Sequence, residues 1–210
     1  MHMGNLWSCL LAWLSARSAG GRMALRLEDL DPDRCRQEYC DQVMRDLEWL
    51  GLDWDGEPVY QSKRTKAYAQ AFRALEEQGL VYPCYCTRAE RLAASAPHRS
   101  DGLSVYDGRC SRLTAAQRET LEKTRRPAWR ASVPEKTITF CDLLYGNYSE
   151  DLKTDCGDFI IRRSDGVYAY QLAVVVDDAA MGVTQVVRGS DLLSSTPRQL
   201  WLQEALGFQH

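Results

Sequence analysis

The chain has 210 residues, 45% of them hydrophobic and 26% charged. That is the balance of one ordinary folded domain, or one carrying an inserted module, and it argues against disorder, repeat arrays and stapled miniproteins. Lys and Arg number 26 against 29 Asp and Glu, a formal charge of −3, which excludes a protein that coats nucleic acid by bulk charge but leaves room for a local basic face. Eight cysteines are too sparse for a disulfide scaffold at this length and fit a reducing, cytoplasmic setting.

Leu6, Leu10, Trp13 and Leu14 recur at helical spacing and stop at Gly20-Gly21. Ala16-Arg17-Ser18-Ala19 has the look of a cleavage site, yet no positive charge precedes the apolar run, which is too short to span a bilayer. The stretch therefore reads as a buried helix. His2-Met3-Gly4-Asn5 stands just before it, where backbone N–H groups and the helix dipole favour a phosphate; by itself this is as well explained by a start followed by a polar cap. Met23, Leu25 and Leu27 then alternate as a strand. Glu28-Asp29-Leu30-Asp31 follows at the strand end, either to hold the ammonium group of an amino acid or as a solvated loop.

Further helices are expected from about Arg34 to Leu50 and from Ser62 to Gly79, with a short strand at Leu80-Val81-Tyr82, a strand–helix alternation that suggests a parallel sheet. From about Pro83 to Tyr148 the texture changes. Cys84-Tyr85-Cys86 is followed by helices opened by Thr87 to Glu90 and Thr114 to Gln117, then by β-rich stretches around Trp129 and Ile138. Cys84 and Cys86 with Tyr106 and Cys110 downstream suit a small zinc site, with His98 competing for the fourth position, or else a set of free buried thiols. Arg125-Arg126-Pro127-Ala128-Trp129-Arg130 suits either contact with phosphate and a stacked base or a strand edge with solvated arginines.

After Asp158-Phe159-Ile160 and an Asp165-Gly166 turn, the apolar run Tyr170 to Val176 and the segment Val183 to Val187 read as strands. Arg188-Gly189 at the end of the second can clamp a carboxylate or pair with a neighbouring acid. Thr196-Pro197 opens a last helix ending at Gly207.

Taken in order, His2-Met3-Gly4-Asn5, Arg26-Leu27-Glu28-Asp29, Cys84-x-Cys86 with Tyr106-Asp107-Gly108-x-Cys110, Asp158-Phe159-Ile160, Tyr170 to Asp178 and Arg188-Gly189-x-Asp191-Leu192 resemble the class I glutamyl-tRNA synthetase family over the whole chain. Glu28-Asp29-Leu30-Asp31, the Cys/Cys/Tyr/Cys set and Ala169 to Asp178 are most similar to its short paralogous branch, which acts on queuosine. The resemblance implies an α/β fold: a Rossmann-type class I synthetase catalytic domain, residues 1–82 and 149–210, with an inserted zinc-binding, acceptor-binding-like α+β subdomain at 83–148. It implies a ligase that activates glutamate with ATP and Mg2+ to glutamyl-adenylate and passes the glutamyl group to queuosine in the anticodon of tRNA(Asp).

Residue by residue, His2, Gly4 and Asn5 match the HIGH motif that cradles ATP, Asn5 standing at its last histidine. Glu28 matches the acid that binds the substrate's amino group, and Tyr170 and Arg188 match the glutamate-contacting tyrosine and arginine. Cys84, Cys86, Tyr106 and Cys110 match the ligands of one structural Zn2+, which demotes His98 to a loop residue. A monomer without membrane association is expected. The family's strand before HIGH and its Lys-Met-Ser-Lys-Ser-like loop have no counterpart between Met1 and His210, so little or no aminoacylation is expected of these residues alone. Two other readings are a fragment of a glutamyl-tRNA synthetase charging tRNA(Glu) and a noncatalytic zinc-containing RNA-binding module.

Overall fold

Helix α1 (Met3–Ser18) ends where Gly20 takes a left-handed φ of +65° and the Gly21 N–H returns to the Ala16 carbonyl at 2.7 Å, a closure that satisfies carbonyls of the last turn. The computed structural model describes residues 3–33, 35–87 and 105–209. Packing divides the chain into two units, Met1–Lys66 with Ala180–Ser190, and Ala67–Ala179 with Asp191–His210.

In the first unit, β1 (Arg26–Leu27) pairs in parallel with β2 (Val59–Tyr60), and α2 (Gln37–Trp49) lies between them in sequence. Leu27, Cys40, Leu47 and Leu52 are its buried apolar side chains. The C-terminal half of α1 is tied to the 53–55 loop. The Trp13 indole N–H donates to Asp53 Oδ1 at 2.8 Å, and Arg17 bridges Asp53 at 3.1 Å and Asp55 at 2.8 Å. Asp55 also accepts the Met23 N–H at 2.7 Å. The helix expected from Leu6 to Leu14 is present, but it is not a buried one. None of its residues is buried, and Trp7, Leu11 and Leu14 are exposed while Leu6, Leu10 and Trp13 are half-covered. Apolar residues here outnumber the positions that one packed helix face can cover.

In the second unit, β3 (Val81–Cys84), β4 (Ala128–Ala131) and β7 (Phe159–Arg162) form an antiparallel sheet with β4 in the middle. The hairpin β5 (Thr137–Asp142) and β6 (Gly146–Asp151) is a separate antiparallel ladder. Among the described residues, parallel pairing is therefore confined to β1 and β2, narrower than the parallel sheet expected from the alternation of elements. Helix α3 (Thr65–Glu77) brings Tyr68, Phe72 and Leu75 into the core. Phe72 packs edge-on against Trp129 with ring centroids 5.4 Å apart. Helix α4 (Ala115–Glu122) opens with the expected box: Thr114 Oγ1 accepts the Gln117 N–H, and Gln117 Oε1 accepts the Thr114 N–H. The helix expected to open at the Thr87 to Glu90 box falls outside the described residues.

Two expected strands are corrected. Residues Tyr170 to Val176 begin helix α5 (Tyr170–Met181), its first turn closed by the Leu172 and Ala173 N–H groups on the Ala169 carbonyl at 3.1 Å. Leu172 to Asp177 are all buried. A run covered on every side shows neither a period of 2 nor one of 3.6, so periodicity could not separate helix from strand. The buried Asp177 accepts the Tyr68 hydroxyl at 2.8 Å. Residues 183–189 form no strand and no helix. The last helix, α6 (Thr196–Leu206), ends as expected on Gly207 at φ +69° and buries Trp201 against Phe159. No helix among the described residues is long and apolar enough to cross a membrane.

Candidate functional site

The best-formed constellation is the cysteine cluster. Cys84 ends β3, where pairing with Ala128 fixes it beside the central strand. Cys86 follows two residues later. Cys110 sits in a 3-10 turn (Arg109–Arg112) entered through Gly108 at φ +70°, and its N–H donates to the Tyr106 hydroxyl at 3.2 Å. The three Sγ atoms lie within 4.8 Å of one another, and those of Cys86 and Cys110 are 3.7 Å apart. The Tyr106 hydroxyl is 3.7 Å from the Cys84 sulphur and 3.5 Å from that of Cys86. Ligands about 2.3 Å from a tetrahedral zinc are separated by about 3.8 Å, so these sulphur and oxygen spacings fit such an ion. Cys84, Tyr106 and Cys110 are buried and Cys86 is half-buried.

The electrostatics are those of a crowded anion site. Burial pushes the Cys86 thiol up to about 12 and drives the Tyr106 phenol far above its ordinary value. Burial also works to raise Cys84, but the Arg130 Nε–H at 3.3 Å, the Cys86 backbone and the Arg130 charge outweigh it, so this thiol lies below its usual range. A divalent cation inverts such a balance by ionising coordinated thiols outright.

A glycine makes the approach possible. Gly157 has φ +68° and ψ 174°, a backbone region reserved for glycine. A Cβ there would collide with the Val105 side chain and stand 3.3 Å from the Tyr106 N and O atoms. Next to it, buried Asp158 accepts the Tyr82 hydroxyl at 2.7 Å, the Val133 N–H at 3.0 Å and the Lys153 ammonium at 3.3 Å.

Arg130 was missed as part of this site. Its place in Arg125-Arg126-Pro127-Ala128-Trp129-Arg130 suggested either a phosphate contact or a solvated strand edge, yet it is wholly buried on the central strand. The only hint in the sequence was its position two residues after Ala128, on the same side of a strand.

The residues expected to read substrates are less enclosed. Gly4 and Asn5 stand exposed in the first turn of α1, which carries no acidic side chain. His2 and His98 lie outside the described residues. Glu28 directly follows β1 with its side chain 46% exposed, 3.4 Å from the Arg26 guanidinium. Asp29 has a structural task, accepting the Ser62 N–H at 2.8 Å and hydroxyl at 2.6 Å. Tyr170 is the partly exposed first residue of α5 rather than a strand residue. Arg188 is half-buried in the irregular segment 183–189, not at a strand end.

Residues 1–210 match the family model of the class I tRNA synthetases (E and Q), catalytic domain. The chain belongs to this family. Relatives in the glutamyl-Q tRNA(Asp) synthetase group include those of Nitratidesulfovibrio vulgaris, 53% identical over 100% of this chain and 68% of the relative. That of Symbiobacterium thermophilum is 48% identical over 99% of this chain and 67% of the relative. Among solved structures, a glutamate tRNA ligase from Elizabethkingia meningosepticum in complex with its amino acid matches with a TM-score of 0.83 at 26% identity, covering 100% of this chain and 45% of that one. A glutamate-tRNA synthetase from Elizabethkingia anophelis gives 0.84 at 26% identity, covering 100% of this chain and 46% of that one. The fold is thus that of the family's catalytic domain, with mixed helices and strands and a cysteine cluster suited to a metal.

Proposed function

We propose that this chain carries the catalytic domain of a glutamyl-Q tRNA(Asp) synthetase, a ligase of the aminoacyl-tRNA synthetase type. One contrast carries the reading: identity reaches 53% with a relative of that name across the whole chain, against 26% with glutamate-tRNA ligases of like fold. Glutamate's α-carboxylate attacks the α-phosphorus of ATP, pyrophosphate leaves, and the glutamyl group passes from the adenylate to a ring hydroxyl of queuosine in the anticodon of tRNA(Asp). Positioning and charge stabilisation carry the rate, so no buried proton shuttle is required.

In this reading His2, Gly4 and Asn5 cradle ATP, which enters with Mg2+. The N-terminal turn of α1 supports it, since the helix dipole favours phosphate there and no acidic side chain stands in that turn to oppose it. Glu28 holds the substrate ammonium group, while Tyr170 and Arg188 contact the rest of glutamate. Cys84, Cys86, Tyr106 and Cys110 hold one Zn2+, which when bound crosslinks β3 to the 105–112 segment and stays out of the chemistry. Residues 83–148 act as an inserted acceptor-binding-like subdomain within a catalytic domain made of 1–82 and 149–210. The protein works as a cytoplasmic monomer.

Glutamate-dependent ATP–pyrophosphate exchange by the protein at its natural length, with and without tRNA, tests the proposal. Exchange without tRNA is expected. Exchange only with tRNA would identify an ordinary glutamyl-tRNA synthetase, which generally needs tRNA to activate glutamate, and no exchange under either condition would favour a noncatalytic RNA-binding module.

A further inference from the structure

Arg130 is 0% exposed, and a buried guanidinium needs a compensating negative charge. Its hydrogen-bond partners are not carboxylates. Nε donates to the Cys84 sulphur at 3.3 Å and Nη1 to the Asp158 backbone carbonyl at 2.6 Å, while Nη2 is buried without a hydrogen-bond partner. The Asp158 carboxylate is occupied by Tyr82, Val133 and Lys153. The guanidinium carbon stands 3.6 Å from the centre of the Tyr106 ring, within range of a cation–π contact. Arg130 thus touches two of the four expected ligands, one through the edge and one through the face of one planar group.

We infer that Arg130 is the positioning and charge-balancing residue of the cysteine cluster, holding the Cys84 sulphur and the Tyr106 ring in ligating position and neutralising a metal–thiolate centre. Three thiolates around a divalent ion leave a net negative charge, which one fixed cation offsets. The geometry is that of a second layer of contacts: the donor orients a ligand without reaching the ion. Arginine suits the task where lysine does not, because only a planar fork can donate to sulphur, donate to a carbonyl and lie over a ring at once. The inference rests on the zinc reading of the cluster.

The test compares wild type with Arg130→Lys and Arg130→Met, loaded with zinc and titrated against a competing chelator, with far-UV circular dichroism to show that each variant is folded. Arg130→Met should lose roughly 10–100-fold in zinc affinity, with Arg130→Lys in between. In the Co2+-loaded protein, the sulphur-to-cobalt charge-transfer band should shift to lower energy in both variants, because losing an N–H···S bond raises the thiolate lone pairs. A purely structural arginine would leave that band in place. If Arg130→Met does not fold, the Arg130→Lys affinity and band position decide alone. Zinc-binding wild type with unchanged affinity and band in the folded variants overturns the role of Arg130 and leaves the zinc reading intact. A wild type that takes up no zinc overturns both.

Discussion

The cysteine cluster and the strand end at Glu28 are built on opposite plans. Around Cys84 the donors are buried or half-buried, converge on one point, and are held by a fully buried cation and a glycine whose backbone conformation other residues adopt only under strain. At Glu28 a two-residue strand delivers a half-exposed carboxylate, 3.4 Å from Arg26 in an ion pair of the kind that water screens. The first arrangement fixes its geometry before any ligand arrives. The second leaves its carboxylate half exposed at the strand end, beside Asp29, which is anchored on Ser62.

Damage to the cluster should therefore be structural, and damage at the strand end should appear in substrate affinity. The largest effect is expected from Cys84→Ser or from stripping metal with a chelator. Metal per chain should fall from one towards zero and the 105–112 segment should become protease-sensitive, whereas a value near zero in thiol-protected wild type would remove the zinc site. Arg188→Ala should weaken glutamate binding by about 2–5 kcal/mol if its charge is desolvated by the substrate, and Glu28→Ala by about 1 kcal/mol because its carboxylate is half exposed. Isothermal titration would read both, and unchanged affinity would remove these residues from the site. Gly157→Ala should cost about 1–3 kcal/mol in backbone strain alone, measured by urea unfolding, with weaker metal retention because it presses on Tyr106. Thr114→Ala, which breaks the capping box of α4, should cost about 1 kcal/mol, read by urea unfolding.

The smallest effect concerns acid. Asp53 is held below its ordinary value of 3.8 chiefly by the Trp13 indole N–H, then by Arg17, and Asp55 by the Met23 N–H, then by Arg17. A carboxyl depressed in the folded state contributes stability that is complete above the unfolded value and lost as pH falls through the folded one. The tie between α1 and the 53–55 loop should therefore hold at neutral pH and loosen below about pH 4. Trp13 fluorescence in a titration would report it, and Arg17→Met should move that loosening to higher pH.

Ordered motifs in the sequence were enough to place the chain in its family and to name Cys84, Cys86, Tyr106 and Cys110 as one cluster, which the structure brings together. Short-range chemistry also determined the Thr114 box and the Gly207 helix end, because caps depend on residues three or four apart. Only the tertiary structure decided that Tyr170 to Val176 is helix, since burial on every side erases the periodicity that distinguishes the two forms. It alone decided that Arg130 is buried against Cys84 and Tyr106 rather than solvated. Nothing local to Trp129-Arg130-Ala131 encodes the sulphur and the ring that arrive from residues 84 and 106, and the burial of a charge depends on those distant partners.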